Sequence, residues 1–339
     1  MMRIGRWLPI ALAVGVLPAA RPARACTTAN CTLLTRTDGP YVARGSWRVD
    51  VGWRFVEQDA RRYGTDEVIV TGTSEAPVLR PRVDFANGRL SPNYHQEFEA
   101  SQAALQFDVA YGLTTRLSAL ASLPLHSRYD VDHVFFPAPG VDLHADAGPG
   151  PSRQTWSIAG VGDALVGLRY ALARGVTAGA AIKLPTGPIN RLDEYGQIDD
   201  PMHQPGTGAL GFIGTLQADG RLGGFGWLAA ASFQRNVEND FGYRFGDELI
   251  VTAGVSRALK GPLGVTLQAK TQHERRNVYL GDVSPSTGAT LVSLAPGLRV
   301  QMPLSGTFYG SVQFPLYRQV NEGQLVPRFI FAVGLAKAF

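Results

Sequence analysis

Side chains able to do catalytic or metal chemistry are few in this sequence and poorly grouped. His126, His133 and His144 share one polar stretch with Asp130, Asp132, Asp142 and Asp146. A metal site needs ligands that converge, as two histidines on one helical face do, and these spacings match no compact ligand motif. The stretch reads as a solvated external loop, and no cofactor or metal is expected. Cys26 and Cys31 are the two cysteines of the chain. An oxidising compartment favours a Cys26–Cys31 disulfide. The alternative is a lipidated Cys26, which the preceding Ala23-Arg24-Ala25 fits poorly. Two thiols alone fall short of the four ligands of a structural zinc site. A hydrolase would need a nucleophile and a base near one rim, and His126 and His273 fall near predicted external strand ends. No Gly-x-Ser-x-Gly elbow accompanies them, so the chain is not expected to be an enzyme.

A larger set of polar side chains recurs at every second position of apolar segments. Arg48, Asp50, Arg54, Gln106, Asp108, Asp163, Arg169, Lys183, Gln217, Glu248, Gln268, Lys270, Arg299 and Arg328 belong to it, with Gln234, Gln272 and Gln301. Both signs of charge are mixed. Such a face is either self-paired, because a lone buried charge is costly, or the lining of a polar passage. Small residues between them, Gly52, Gly167, Gly179, Ala181, Gly211, Ala230 and Gly254, leave room for a passage or a plug.

The elements that must carry this face are β-strands. From Ser46 to Gln58, Trp47, Val49, Val51, Trp53 and Phe55 fall on one side, and Arg48, Asp50, Gly52 and Arg54 on the other. The same period of two returns near 105–111, 117–125, 162–171, 176–184, 209–218, 225–235, 248–256, 263–273, 290–301, 306–317 and 327–339. Short links at 112–116, 172–175, 219–224, 257–262 and 302–305 alternate with long polar ones at 59–100, 126–160, 186–207, 236–247, 274–289 and 318–326. Twelve strands, an even count, with links alternating short and long, are the signature of an outer-membrane barrel. The expected fold is therefore all-β: a transmembrane antiparallel meander β-barrel of about twelve strands, in the outer membrane of a Gram-negative bacterium. The last strand alternates Phe329, Phe331, Val333 and Leu335 with small residues and ends on Phe339, the form expected of a strand read by the barrel-insertion machinery.

The N-terminus sets the compartment. Arg3 and Arg6 precede an apolar run from Trp7 to Leu17, followed by Ala23-Arg24-Ala25. This is the pattern of a secretory signal, too short to span a membrane as a helix. Residues 1–25 read as a cleaved signal peptide, 26–45 as a periplasmic or lumenal segment able to fold into the barrel, and 46–339 as the barrel. The 32 basic residues exceed the 28 acidic ones by four, and the first 25 residues hold four arginines and no acid. The mature chain is thus formally neutral. It lacks the clustered basic surplus of a nucleic-acid binder, and its expected partners are outer-membrane lipids and an unidentified small solute. A mean hydropathy of −0.02 is also too low for a bundle of spanning helices, whereas a barrel needs apolar residues on one face only.

Residues 160–218 carry a motif series. Gly160-Val161-Gly162-Asp163 is followed by Gly167-Leu168-Arg169-Tyr170, Lys183-Leu184-Pro185-Thr186-Gly187 and Pro205-Gly206-Thr207-Gly208. The series resembles a large outer-membrane family of transporters similar to a meta-pathway phenol-degradation protein. The resemblance implies a channel or transporter for aromatic or hydrophobic small molecules. Read physically, Pro185 and Gly187 end a strand and turn the chain, so the motifs also serve to shape an external hairpin. A barrel that only displays its long loops 59–100 and 126–160 is the alternative to transport.

Overall fold

The computed structural model describes residues 42–67, 80–84, 89–136, 154–192, 198–284, 286–303 and 306–339. Twelve strands form the wall: β1 Trp47–Tyr63, β2 Arg89–Gly112, β3 Leu117–Phe136, β4 Leu165–Ala173, β5 Val176–Lys183, β6 Gly211–Leu222, β7 Phe225–Asn236, β8 Glu248–Ala258, β9 Leu263–Glu274, β10 Ala289–Met302, β11 Gly306–Val320 and β12 Gly323–Ala338. Each pairs antiparallel with the next in sequence. β12 returns to β1, from Arg48↔Ala338 to Tyr63↔Gly323, and closes the sheet. Closure leaves no edge, which is the condition for a sheet to stand in hydrocarbon without stranded backbone donors and acceptors.

The alternation read from sequence sets the faces. Trp53, Phe107, Leu123, Leu168, Phe212, Trp227, Val251, Leu267, Leu298, Phe308 and Leu335 are all exposed on the outer wall. Arg54, Gln106, Ser122, Thr252 and Ala336, each next to one of them in sequence, are buried toward the axis. Aromatics gather at the end where the connections are short: Trp47 and Tyr111 contact at 4.5 Å, and Tyr170, Trp227 and Phe339 lie exposed there. Amphipathic rings favour the water–lipid boundary.

Four expectations change. The stretches read as long links at 59–100 and 126–160 carry strand in part. β2 and β3 run 24 and 20 residues, and their upper parts pair with each other as far as Tyr94↔Phe136. Sequence alternation did not mark these arms, because a ladder standing clear of lipid has no need of an apolar face. His126, read as part of an external loop, is therefore on β3, where it is buried and faces inward. The strand expected at 162–171 begins at Leu165, and residues 162–164 leave the ladder. Above that break, Gln154–Val161 resumes the pairing with β3, from Leu125↔Val161 to Asp132↔Gln154. Finally, the link at 318–326 is a tight turn between β11 and β12, with Glu322 in the left-handed region at φ 52°.

Candidate functional site: the lumen and its cap

The inner face has a paired part and an unpaired part. At the short-turn end, Arg48 lies 3.7 Å from Asp50, and the Tyr309 hydroxyl donates to Asp50 at 2.6 Å. One strand over, Gln106 donates to Asp108 at 2.7 Å and to Ser122 at 2.9 Å. Arg169 is half-buried on β4 and Lys270 half-buried on β9, both facing in. Glu248 accepts from Gln272 at 2.7 Å. Gln217, Gln268 and Arg299 line a cavity of about 250 Å³ that also touches Asp219, Arg221 and Ser256, and Gln217 donates to Asp219 at 3.1 Å. Arg328 departs from its predicted place. The register shifts by one between Glu57 and Gln58, so Pro327 takes the position opposite Gln58. Arg328 becomes the extra residue of the bulge and pairs with Asp59 at 2.6 Å with its side chain largely exposed. A bulge of this kind inverts the phase of the pleat and is invisible to a strict period of two.

Toward the other end, the motif residues converge on Asp163. Its carboxylate accepts from the Gly187 N–H at 3.0 Å, from the Thr207 N–H at 2.8 Å and from the Thr207 hydroxyl. Lys183 Nζ lies 4.0 Å from the same carboxylate and donates to Asn236 Oδ1 at 3.0 Å. Asn236 in turn donates to the Gly246 carbonyl at 2.9 Å. The glycines explain themselves: a Cβ on Gly187 would stand 2.6 Å from the Gly206 Cα, so the two loop strands pass too closely for side chains. What looked like separate turn motifs is one hub tying the β4 break, the 184–210 loop and β7 together.

Above the hub the connections pack into a cap. Met202, Tyr243, Phe245 and Tyr279 form its apolar centre, and Tyr243 meets Phe245 edge-on at 5.0 Å. Asn277 donates to the Tyr243 hydroxyl at 2.7 Å and accepts from the Gly246 N–H at 2.8 Å. Asp199 accepts from Trp156 at 2.8 Å and sits 3.0 Å from His203, while Gln204 bridges Arg191 and Asp199. Arg276 grips Glu322 with two bonds of 2.8 and 2.6 Å. Burial would raise the Glu322 carboxyl, but the Arg276 hydrogen bonds and the Ser286 N–H outweigh it and hold the group below the usual carboxylate range. None of these cap residues was marked by sequence reading, since isolated Asn, Asp and Tyr in loops carry no period. Only the 183–187 and 205–208 motifs pointed to this region.

On β1 to β3 the inner wall is different. Gln58 is 0% exposed, and neither atom of its amide finds a protein partner. Arg54 Nε, Gln102 Oε1 and His126 Nδ1 are likewise buried and unpartnered, as is Gln234 Oε1 on β7. Register places Arg54, Ala104 and His126 side by side, with Val56, Gln102 and Arg128 on the next rung. Gly162 lets His126 fit, because a Cβ there would meet its Nε2 at 2.6 Å. His273 lies on the outer face, exposed and 2.9 Å from Thr290 Oγ1, so the two histidines stand on opposite sides of the wall and share no centre. Among the described residues no group of three or more His, Cys, Asp or Glu is placed to hold a metal. Cys26, Cys31, His144 and residues 26–41 lie outside the described residues.

The architecture is that of an outer-membrane β-barrel. It is similar to the crystal structure of an outer-membrane channel from Pseudomonas putida F1, with a TM-score of 0.59 and 14% identity over 89% of this chain and 98% of that one. More distant superpositions are with the monoaromatic hydrocarbon channel CymD (TM-score 0.46, 12% identity, 89% and 90% covered) and the P. putida toluene transporter TodX (0.45, 10%, 89% and 91%). No protein-family model and no curated protein sequence matches the chain.

Proposed function

We propose that this chain is an outer-membrane channel whose polar lumen passes small molecules, and that it is exported with residues 1–25 removed. The observation that carries the reading is the set of buried, unpartnered polar atoms on Arg54, Gln58, Gln102, His126 and Gln234. Left dry, each such group costs roughly 1–3 kcal/mol. A sealed, self-satisfied core would leave few such groups along an inner wall, whereas a lumen that brings water or a polar solute to them would satisfy them. The resemblance of residues 160–218 to the phenol-degradation-like transporters favours aromatic cargo. The polar lining narrows that to aromatic or hydrophobic molecules that carry at least one hydroxyl, carboxylate or similar group. The reading involves no catalysis, cofactor or nucleic acid.

Reconstitution into planar bilayers and liposomes tests it. The expected result is discrete conductance steps and faster uptake of a hydroxylated aromatic than of its parent hydrocarbon. No conductance and no uptake of either would leave a structural or loop-displaying barrel and end the transport reading. Fractionation of inner and outer membranes tests the location separately.

A further inference from the structure

The outer wall carries a cationic pair that the transport reading does not use. Phe233, Leu249 and His273 occupy one rung of β7, β8 and β9 and face outward. Two residues further along each strand direction, the next outward rung is Arg235, Asp247 and Arg275, and the Arg275 N–H donates to the Asp247 carbonyl at 3.0 Å to continue the ladder. Both guanidiniums approach the single Asp247 carboxylate to only 3.9 Å. The Arg235 and Arg275 side chains are 68% and 74% exposed, while that of Asp247 is 5% exposed beneath them. Elsewhere, Arg276 and Arg328 meet their own carboxylates at 2.6 Å each. Two arginines thus share one distant, covered carboxylate and keep a net positive charge on largely exposed side chains.

Their height on the barrel matters. The rung lies at the long-connection end, the external end of an outer-membrane barrel, directly above the exposed apolar Phe233, Leu249 and Val251. In an outer-membrane barrel the upper border of the apolar band faces the headgroups of the outer leaflet. A guanidinium recognises a phosphate through parallel N–H···O bonds, and a pair spaced by a fixed carboxylate can take one phosphate between them. We propose that Arg235 and Arg275 form a docking site for a phosphate of lipid A, the phosphorylated glycolipid of the outer leaflet, with Asp247 holding their spacing. His273, next below Arg275 on the same face, extends the polar border toward Thr290. The inference rests on the outer-membrane reading above, but it requires neither conduction nor any particular solute.

Native mass spectrometry of the purified, detergent-solubilised protein with bisphosphorylated lipid A provides the test, and it does not depend on where the protein resides in the cell. The wild type is expected to retain the lipid. R235Q/R275Q should bind it about a hundredfold more weakly, roughly tenfold for each charge-assisted contact removed. R235K/R275K should recover part of the loss, R328Q should bind like wild type, and dephosphorylated lipid A should bind like the double variant. The heat-modified gel mobility of each variant reports whether the barrel is folded, and the single variant R275Q serves if the double variant does not fold. Equal retention by R235Q/R275Q, indifference to dephosphorylation, an equal loss in R328Q, or displacement by millimolar inorganic phosphate would each overturn the proposal. Failure of the outer-membrane reading would show separately, as absence from the outer-membrane fraction.

Discussion

Two flanks of one inner wall are built by opposite rules. At Asp163 the polar groups are paired: two backbone N–H groups, a hydroxyl and an ammonium converge on one carboxylate, and Lys183 passes the connection on to Asn236. On β1 to β3, Gln58, Gln102, Arg54 and His126 are as deeply buried yet keep atoms with no protein partner. Burial and polarity alone do not distinguish the two. Satisfaction does. The first flank holds the external connections in place, and the second keeps its hydrogen-bonding capacity for what occupies the lumen.

The contrast can be broken most severely at the hub. Asp163→Ala strands Lys183 and two loop amides, and should destabilise the refolded barrel by about 3–5 kcal/mol, as removal of one partner from a buried ion pair does. Urea unfolding followed by tryptophan fluorescence measures it, and a loss below about 1 kcal/mol would mean that the hub is not what holds the connections. A smaller wound, Thr207→Val, removes one hydroxyl while keeping its shape. About 1–2 kcal/mol is expected, with the channel still folded.

The opposite flank should respond in the opposite sense. Gln58→Leu takes away a buried amide that has no partner to lose, so stability should change by less than about 0.5 kcal/mol or rise. Single-channel conductance and solute uptake should nevertheless change, since the amide belongs to the inner wall that the transport reading assigns to the solute. A stability loss like that of Thr207→Val, with unaltered conductance, would erase the distinction between the flanks.

A further modest effect lies in the cap. The Glu322 carboxyl is held below its ordinary value of 4.5 in the folded protein. A depressed folded value means that the carboxylate contributes stability above the unfolded value, and that this is lost as the pH falls from about 4.5 through the lower folded value. Wild type and Glu322→Gln should therefore differ in stability at pH 7, and the difference should shrink as the pH falls below about 4.5. The side chain is 36% exposed, and the difference should be no more than about 1 kcal/mol. A difference that stays constant from pH 7 down to the acid limit of folding would assign it to something other than charge.

The wall was legible because lipid imposes a rule on it. Alternate residues must be apolar wherever a strand crosses hydrocarbon, so Trp47 to Phe55 or Phe329 to Leu335 announce both strand and face. The rule lapses where lipid ends. The upper arms of β2 and β3 read as loop for that reason, and His126 was read with them. Arg328 shows another limit, since one inserted residue reverses every inference beyond it without changing composition. The motif residues of 160–208 pointed to the right region and to turn-building chemistry, but their convergence on a single carboxylate is a fact of three dimensions. Asn277 and Gln204 gave no signal at all, because a hydrogen bond between distant loops leaves no period behind.

The seam between β1 and β12 bears on how such a chain is made. Arg48 must find Ala338 and Tyr63 must find Gly323, partners at opposite ends of the polypeptide. Long-range pairings of this kind are reached late, because the entropy of bringing distant segments together is spent before any bond rewards it. Until synthesis is complete, the first strand has only one neighbour to pair with, and its other row of donors and acceptors is open to any competing chain. That open row on β1 is the part of the wall most exposed to mispairing until the last strand arrives to claim it.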